Sequence, residues 1–273
     1  MRILFLGDVI GRPGREAVAA HLPGIIADHA VDFTIVNGEN SAHGHGITEN
    51  TFRDLVHAGA DVVTLGNHTF DQKQAIPLLN TDDRCLRPAN YPPGTPGRGS
   101  FLFETRRGAR VMVGNVMGRL FMNPPLDDPF RAADAMLDGM ELGVVADAAV
   151  IDFHAETTAE TMCFGAHLDG RASLVVGTHT HVPTADHQIL PGGTAYQTDA
   201  GMCGDYDSSI GMRRDVPMHQ FLTGWRDGRM EVADGPVTLS GVVVDTSDRT
   251  GLAERIAPLR LGGRLEPIEP PWW

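Results

Sequence analysis

The chain of 273 residues is long enough to bury a sizeable core, and α/β folds of this length commonly form one domain. Its formal net charge of −13 at pH 7 argues against an extended surface for nucleic-acid backbones. No apolar stretch approaches the length of a transmembrane helix, and the apolar run at the N-terminus is too short for a signal peptide. We therefore expect neither a membrane partner nor an extended nucleic-acid partner.

The three cysteines, Cys85, Cys163 and Cys203, are widely spaced and include no Cys-x-x-Cys pair. An odd number at such spacing favours reduced thiols over a disulfide framework or a zinc ribbon. We interpret all three as small core residues of a cytoplasmic protein.

The first part of the chain alternates strand-like and helix-like segments. RILFLGD precedes a helix that opens near Pro13, DFTIVNGEN precedes a helix capped by Thr48, and DVVTLGNHTFD precedes QKQAIPLLN. Later strand-like runs are ARVMVGNVMG, DAAVIDFHAE and SLVVGTHTH. HQILPGGTAYQTDAG has the spacing of a hairpin, and the last third is typical of antiparallel strands. This order predicts a mixed sheet, or two sheets, flanked by helices.

The Pro- and Gly-rich segment YPPGTPGRG, residues Tyr91–Gly99, is the best candidate for an internal boundary. The strand-like runs on either side have the same chemistry, so we interpret the segment as a surface loop between halves of one domain, residues 1–273. Two exposed tryptophans at the C-terminus would be unusual. We expect Trp272 and Trp273 to pack on the domain or on a partner subunit.

Five predicted strands end in polar side chains that are common metal ligands. These residues are Asp8, Glu39, Asn40, Asn67, His68, His154, His179 and His181. Open α/β sheets bind ligands at the edge formed by such strand ends. In an extended strand, positions i and i+2 face the same side, so the two histidines of GTHTH can converge while Thr180 points away. Gly177, before them, permits close approach of another backbone. The pattern predicts a metal site.

The candidate ligands offer oxygen and imidazole nitrogen but no thiolate. This set disfavours a structural zinc site and suits manganese, iron or a catalytic zinc centre. The candidates are too many for one ion. Two ions about 3.5–4 Å apart that share a carboxylate would use them all, and this arrangement is known in phosphoester chemistry.

The blocks GDVIG, GNHTFD and GTHTH resemble the signature blocks of the calcineurin-like metallophosphoesterases. NGENSAHGHGIT, GNHTFDQK, RPANYPPGTPG, NVMGRLFM, DFHAETTAE, GTHTHVPTAD and TDAGMCG resemble the YmdB-like branch, in order and over nearly the whole chain. The resemblance implies an α/β/β/α sandwich of two mixed sheets flanked by helices. It also implies a 2′,3′-cyclic nucleotide phosphodiesterase activity.

The resemblance also implies a ligand set, although the sequence departs from the common superfamily pattern. Ile10 stands where that pattern has its first histidine, and the usual block with a bridging aspartate is absent. Glu39 would take the bridging role, and Asn40 would supply the oxygen that replaces the missing imidazole. The implied ligands are Asp8, Glu39, Asn40 and His181 for one ion, and Glu39, Asn67, His154 and His179 for the other. Iron or manganese is favoured over zinc.

His68 matches the position of the proton donor in this superfamily. The alternative is that His68 only orients the neighbouring ligand Asn67. We favour the catalytic role because hydrolysis of a phosphoester needs an acid. His43 and His45 in SAHGHG could touch the substrate, but a mobile glycine-rich loop is the simpler expectation. We assign no definite role to Arg119 or Asp199.

The predicted activity is hydrolysis of a small nucleotide or other phosphodiester by hydroxide at a dinuclear centre, in a protein that is a homo-oligomer. A phosphomonoesterase or nucleotidase ranks second, because the related nucleotidases carry a separate substrate-binding domain for which this chain has no room. A third hypothesis is a regulatory protein that acts through its metal site and partners. A dinucleotide-binding interpretation of GDVIGRPG fails, because the glycine spacing is wrong and Asp8 would repel a pyrophosphate.

Overall fold

The computed structural model describes residues 1–273, which form fourteen strands and six helices. The strands are β1 (Arg2–Leu6), β2 (Asp8–Val9), β3 (Phe33–Asn37), β4 (Val62–Thr64), β5 (Cys85–Leu86), β6 (Ser100–Glu104), β7 (Arg110–Met117), β8 (Ala148–His154), β9 (Leu174–Thr178), β10 (Gln188–Ile189), β11 (Ala195–Gln197), β12 (Met202–Asp205), β13 (Val237–Thr246) and β14 (Ala253–Leu261). The helices are α1 (Gly11–Asp28), α2 (Glu49–Ala58), α3 (Ala75–Thr81), α4 (Pro129–Leu137), α5 (Thr158–His167) and α6 (Asp215–Thr223).

The strands form two mixed sheets. The first has the order β2-β12-β13-β1-β3-β4-β5, with β14 also paired to β13, and the second has the order β10-β11-β9-β8-β7-β6. β1, β3, β4 and β5 are parallel neighbours in the first sheet, as are β7, β8, β9 and β11 in the second. β10 and β11 form the predicted hairpin. The chain thus crosses to the second sheet for β6–β11 and then returns to the first.

Alternation along the central strands divides the core into layers. In β1, Ile3 and Phe5 join a buried cluster shared by both sheets, whereas Leu4 and Leu6 join a cluster that includes residues of α1 and α2. A third cluster packs α4 and α5 on the outer face of the second sheet. Successive side chains of a strand point to opposite faces of its sheet, so apolar residues bury both faces of each sheet. This architecture confirms the predicted α/β/β/α sandwich.

Two local predictions for the helices are confirmed. Thr48 caps α2, accepts a hydrogen bond from the N–H of Thr51 and forms a capping box with it. The same helix ends at Gly59, whose φ of 119° a side chain would disfavour. α1 begins at Gly11, so Pro13 lies in its first turn.

The segment 91–99 and the C-terminal tail also follow expectation. Residues 91–99 contain no helix or strand and connect β5 of the first sheet to β6 of the second. The ring of Trp273 stacks on His29 at 3.8 Å, and the guanidinium of Arg255 lies over Trp272. The tail thus packs on its own chain. The helices are too short or too polar to traverse a lipid bilayer.

The last third of the chain contains the predicted antiparallel strands, since β13 pairs with both β12 and β14 in this way. It also contains the helix α6, which the sequence analysis did not predict. Asp215 in the first turn and Gly224, with a φ of 72° at the C-cap, are the local signals for this helix. Only Pro217 of α6 is buried, so no apolar stripe marks a core-facing side of the helix.

The prediction that Cys163 is a core residue is wrong, because Cys163 lies on the exposed side of α5.

Gly177 in β9 confirms the predicted close approach of two backbones. A Cβ atom at this position would lie 1.7 Å from the carbonyl oxygen of Thr198. By contrast, nothing lies within 4 Å of a Cβ added to Gly24 in α1.

We expect Gly177→Ala to lower the free energy of unfolding by about 1–3 kcal/mol, because backbone atoms must move to admit the methyl group. Gly24→Ala is the matched control and should raise it by about 0.5–1 kcal/mol, through the better helix propensity of alanine. Urea denaturation followed by circular dichroism measures both. Similar small effects of the two changes would mean that the second sheet relaxes around the added carbon.

Candidate metal centre

The predicted ligand residues meet where strands of both sheets end. Asp8 lies in β2, Glu39 and Asn40 follow β3, Asn67 and His68 follow β4, His154 ends β8, and His179 and His181 follow β9. The first sheet supplies the carboxylates and carboxamides, and the second supplies three imidazoles. The prediction that these strand ends come together is confirmed.

Three side chains of the first sheet each present one buried oxygen to the site: Asp8 Oδ1 and Asn40 Oδ1 have no hydrogen-bond partner, and Glu39 Oε1 faces only His154 Nε2, at 3.0 Å. The other polar atom of each is held: Asp8 Oδ2 by the N–H of His179 at 3.2 Å, Glu39 Oε2 by the N–H of His68 at 3.0 Å, and Asn40 Nδ2 by the carbonyl of Gly44 at 3.0 Å. An unpaired buried polar atom costs about 1–3 kcal/mol. The three oriented oxygens therefore fit a bound cation.

His154 is oriented in a similar way. Its Nδ1 lies 2.8 Å from Thr178 Oγ1, and its Nε2 lies 2.9 Å from Asn67 Oδ1 and 3.0 Å from Glu39 Oε1. Two oxygens thus face one ring nitrogen, which requires either a proton or a cation at that point. His179 is close by, since its ring lies 4.8 Å from that of His154. Ligand atoms of Glu39, His154 and His179 all lie within 4.8 Å of one another.

His181 belongs to a second group of contacts. Its Nδ1–H donates to the carbonyl of Ile210 at 2.8 Å, which leaves Nε2 as the nitrogen available to a metal. Nε2 lies 3.7 Å from Asp8 Oδ1, one of the unpaired oxygens. The contacts thus form two groups, Asp8 with His181 and Glu39 with His154 and His179.

The backbone at GTHTH differs from the extended strand that the sequence suggested. β9 ends at Thr178, and His179 and His181 have φ angles of 101° and 66°. Such left-handed conformations cost a non-glycine residue about 1–3 kcal/mol. Thr180 between them is anchored, since its N–H and Oγ1 both donate to Asp199 Oδ2 at 3.0 and 2.8 Å. The rings converge because of this strained turn and not because of strand alternation.

The protonation states of His179 and His181 suit metal binding. Burial lowers the pKa of His179 to about 3 and that of His181 to about 4, so both rings are neutral near pH 7. Burial also raises the pKa of Asp8 well above its usual range. Burial opposes the ionisation of Glu39 and of His154, but their mutual attraction outweighs it, lowering the pKa of Glu39 to about 2 and raising that of His154 to about 9. A metal cation would replace the His154 proton as the partner of these carboxylates.

His68 stands at the entrance of the site. Its Nδ1–H donates to Asp71 Oδ2 at 2.7 Å, and its ring lies 4.9 Å from that of His45. The side chain makes no hydrogen bond to Asn67. The ring is thus held by a carboxylate while its Nε2 remains available, and Asp71, three residues further along, is a contact that the sequence analysis missed.

A cavity of about 330 Å³ opens at the site. Its polar lining residues are Glu39, Asn40, His45, His68, His179, His181, Ser209 and Gln220. His43 and Arg119, to which the sequence assigned no definite role, do not line it, and the guanidinium of Arg119 lies 3.8 Å from Asp128. The cavity brings the proton-donor candidate His68 into one space with Glu39 and Asn40, whereas Asp8 lies behind its lining.

Comparison with known proteins identifies the family to which the chain belongs. The family model described as "YmdB-like protein" matches residues 4–259. The chain belongs to the YmdB-like family. It is 48% identical over 256 residues to the 2′,3′-cyclic-nucleotide 2′-phosphodiesterase of Bacillus subtilis, covering 94% of this chain and 95% of the relative. The predicted family membership is confirmed, as is the prediction of an enzyme.

Solved structures of the same fold include a hypothetical protein from Thermus thermophilus, with a TM-score of 0.89 and 44% identity over 97% of this chain and 100% of that one. A protein described as a novel phosphatase from Mycoplasma pneumoniae has a TM-score of 0.89 and 32% identity, covering 96% of this chain and 93% of its own. The sandwich of two mixed sheets is therefore shared within the family.

Two supporting carboxylates escaped the sequence analysis. Asp152 is fully buried, and it accepts hydrogen bonds from Thr178 Oγ1 at 2.7 Å, Asn37 Nδ2 at 3.0 Å and Thr64 Oγ1 at 2.5 Å. Because Thr178 in turn receives the Nδ1–H of His154, Asp152 fixes that ring from behind. The available signal was a charged residue in the middle of the apolar run AAVIDFH, two positions before His154.

The second carboxylate is Glu156, whose Oε2 lies 3.2 Å from His179 Nε2. It follows His154 by two residues but lies outside the strand, so no periodicity pointed to it. This contact places a carboxylate beside the ring of His179.

Proposed function

We propose that this chain is a metal-dependent phosphodiesterase that hydrolyses 2′,3′-cyclic nucleotides at a centre of two divalent cations. The observation that carries the proposal is the set of three oriented, buried oxygens beside the neutral imidazoles of His179 and His181: two of these oxygens have no partner, and the third shares the single nitrogen His154 Nε2 with Asn67 Oδ1. The substrate class is supported by the name of the Bacillus subtilis relative and its 48% identity over nearly the whole length of both chains.

The contact groups support a particular division of the ligands. One cation would bind Asp8, Glu39, Asn40 and His181, and the other would bind Glu39, Asn67, His154 and His179. Oxygen and imidazole donors without thiolate favour iron or manganese over zinc. Two such cations lower the pKa of a water molecule and neutralise charge on the phosphate oxygens.

His68 is the proposed proton donor. His68 lines the cavity, and because its Nδ1 is engaged by Asp71, Nε2 is the nitrogen available to the substrate. A water molecule would lose one proton to the solvent and form a bond from its oxygen to phosphorus, while the bond from phosphorus to one ribose oxygen breaks. Nε2–H would protonate that ribose oxygen, and His68 would regain a proton from the solvent. The product is a nucleoside monophosphate. The relative's name, a 2′-phosphodiesterase, favours the 2′ oxygen as the leaving group.

The metal content of variants tests the two-cation centre. Glu39→Gln should lose both cations, because the shared carboxylate is gone, whereas His181→Ala should lose mainly one. Elemental analysis of dialysed protein measures the number of ions per chain. Glu16→Gln, on an exposed surface of α1, is the control and should retain the wild-type content. A wild-type protein that holds one ion, or a Glu39→Gln variant that keeps two, would contradict the proposal.

The substrate class is tested by turnover at matched metal loading. A 2′,3′-cyclic nucleotide should be hydrolysed with a higher kcat/KM than the corresponding 2′- or 3′-monophosphate. Faster hydrolysis of the monoesters would instead establish a phosphomonoesterase.

The role of His68 is tested with two leaving groups. In His68→Ala, metal content should be unchanged, while kcat on a cyclic nucleotide should fall by about 10²–10⁴, the usual effect of losing a general acid. A nitrophenyl diester expels a weakly basic oxygen that needs little protonation, so its hydrolysis should fall much less. Equal losses on both substrates would show that His68 is not the acid. Joint loss of metal and activity would indicate a structural role.

A further inference from the structure

The cavity has a second wall that the proposed chemistry does not use. Five apolar residues line it, and we call this set the apolar wall: Ile210, Met212, Pro217, Phe221 and Met230. All of them belong to α6 or to the loops on either side of it. The polar residues of the centre line the remainder of the same cavity.

The apolar wall is attached directly to the candidate metal centre. The carbonyl of Ile210 accepts the Nδ1–H of His181 at 2.8 Å. Ser209 and Met212 exchange backbone hydrogen bonds of 2.8 and 3.0 Å, which hold the intervening turn. The wall therefore begins one hydrogen bond away from a proposed ligand.

Phe221 is the unusual member of the wall. Its side chain is 83% exposed although it lines the cavity. Residues 217, 220 and 221 recur at the spacing of one helical face, so α6 presents Pro217, Gln220 and Phe221 to the same space. An exposed aromatic ring beside a polar site is a surface that a flat apolar ligand would cover.

We propose that the apolar wall binds the nucleobase of the substrate, with the base stacked against Phe221. This inference rests on the proposed function, which places the phosphate at the polar end of the cavity. The cavity volume of about 330 Å³ lies within the range of small-ligand sites, about 300–1,000 Å³. Ser209 and Gln220, which also line it, provide hydrogen-bonding groups for the edge of the base. A stacking platform without a charged group fits any of the four bases.

The experiment compares Phe221→Ala with wild type on a cyclic nucleotide and on a base-free analogue, the 2,3-cyclic phosphate of methyl riboside. In the variant, KM for the nucleotide should rise by about 5- to 150-fold, the range found when a stacking ring is removed, while kcat stays within about twofold. KM for the base-free ester should not change. Phe221→Tyr should restore the nucleotide KM, because the ring is kept.

Trp225→Ala is the matched control, because Trp225 is an aromatic residue just after α6 that is 70% exposed but does not line the cavity. It should leave both KM values unchanged. Calorimetric binding of a nucleoside 3′-monophosphate gives a second readout, and the Kd should rise in Phe221→Ala by the same factor as KM.

The outcomes separate this inference from the proposed function. If the wild type hydrolyses cyclic nucleotides but Phe221→Ala affects the nucleotide and the base-free ester equally, or neither, the base subsite is refuted and the function stands. If the wild type hydrolyses no cyclic nucleotide, the proposed phosphodiesterase function is refuted. In that case, loss of nucleotide binding in Phe221→Ala would still support the nucleobase subsite, and unchanged binding would refute it. If sedimentation shows that Phe221→Ala changes the oligomeric state while nucleotide binding is unaffected, α6 is an interface between copies, which overturns the proposal.

Discussion

The burial of Asp8 Oδ1, Glu39 Oε1 and Asn40 Oδ1 with too few donors is the constraint on which the rest of the site depends, since only Glu39 Oε1 has a nitrogen, His154 Nε2, at hydrogen-bond distance. Each atom is kept in place by a hydrogen bond to the other polar atom of its own side chain, so none can turn away to find water. The stability lost in this way is of the order of 1–3 kcal/mol per atom. A cation that binds only the folded chain returns that free energy, so metal binding and folding are coupled at this point.

The two sheets have to pack before the centre exists. The oxygens follow strands of the first sheet and the imidazoles follow strands of the second. Asp152 of β8 joins them beneath the site, since it accepts hydrogen bonds from Asn37 of β3 and Thr64 of β4. Burial of Asp152 raises its pKa, and these donors oppose that effect. The inter-sheet core and this hydrogen-bonded carboxylate therefore hold the two halves of the ligand set in register.

The strained turn at His179 and His181 is part of the same construction. Two left-handed residues in five positions are costly, and the turn is held because Asp199 binds Thr180 and because Gly177 lets the neighbouring backbone approach. The turn also carries the link to α6, through His181 and Ile210. This short segment consequently positions both the polar residues of the cavity and its apolar wall.

The sequence by itself determined which strands end in ligand-type residues, because a break from apolar alternation to Asp, Glu, Asn or His is a local property of the chain. It likewise determined the capped α2, whereas strand order left one mixed sheet or two sheets open and only the resemblance to a known family implied two. It could not determine the backbone of GTHTH, the support from Asp152, the pairing of His68 with Asp71 or the position of α6. Asp152 meets Asn37 across 115 positions of sequence, and His181 meets Ile210 across 29, so these contacts exist only once distant elements have packed. Strand periodicity describes one element at a time, whereas convergence on a common point depends on how the two sheets approach each other.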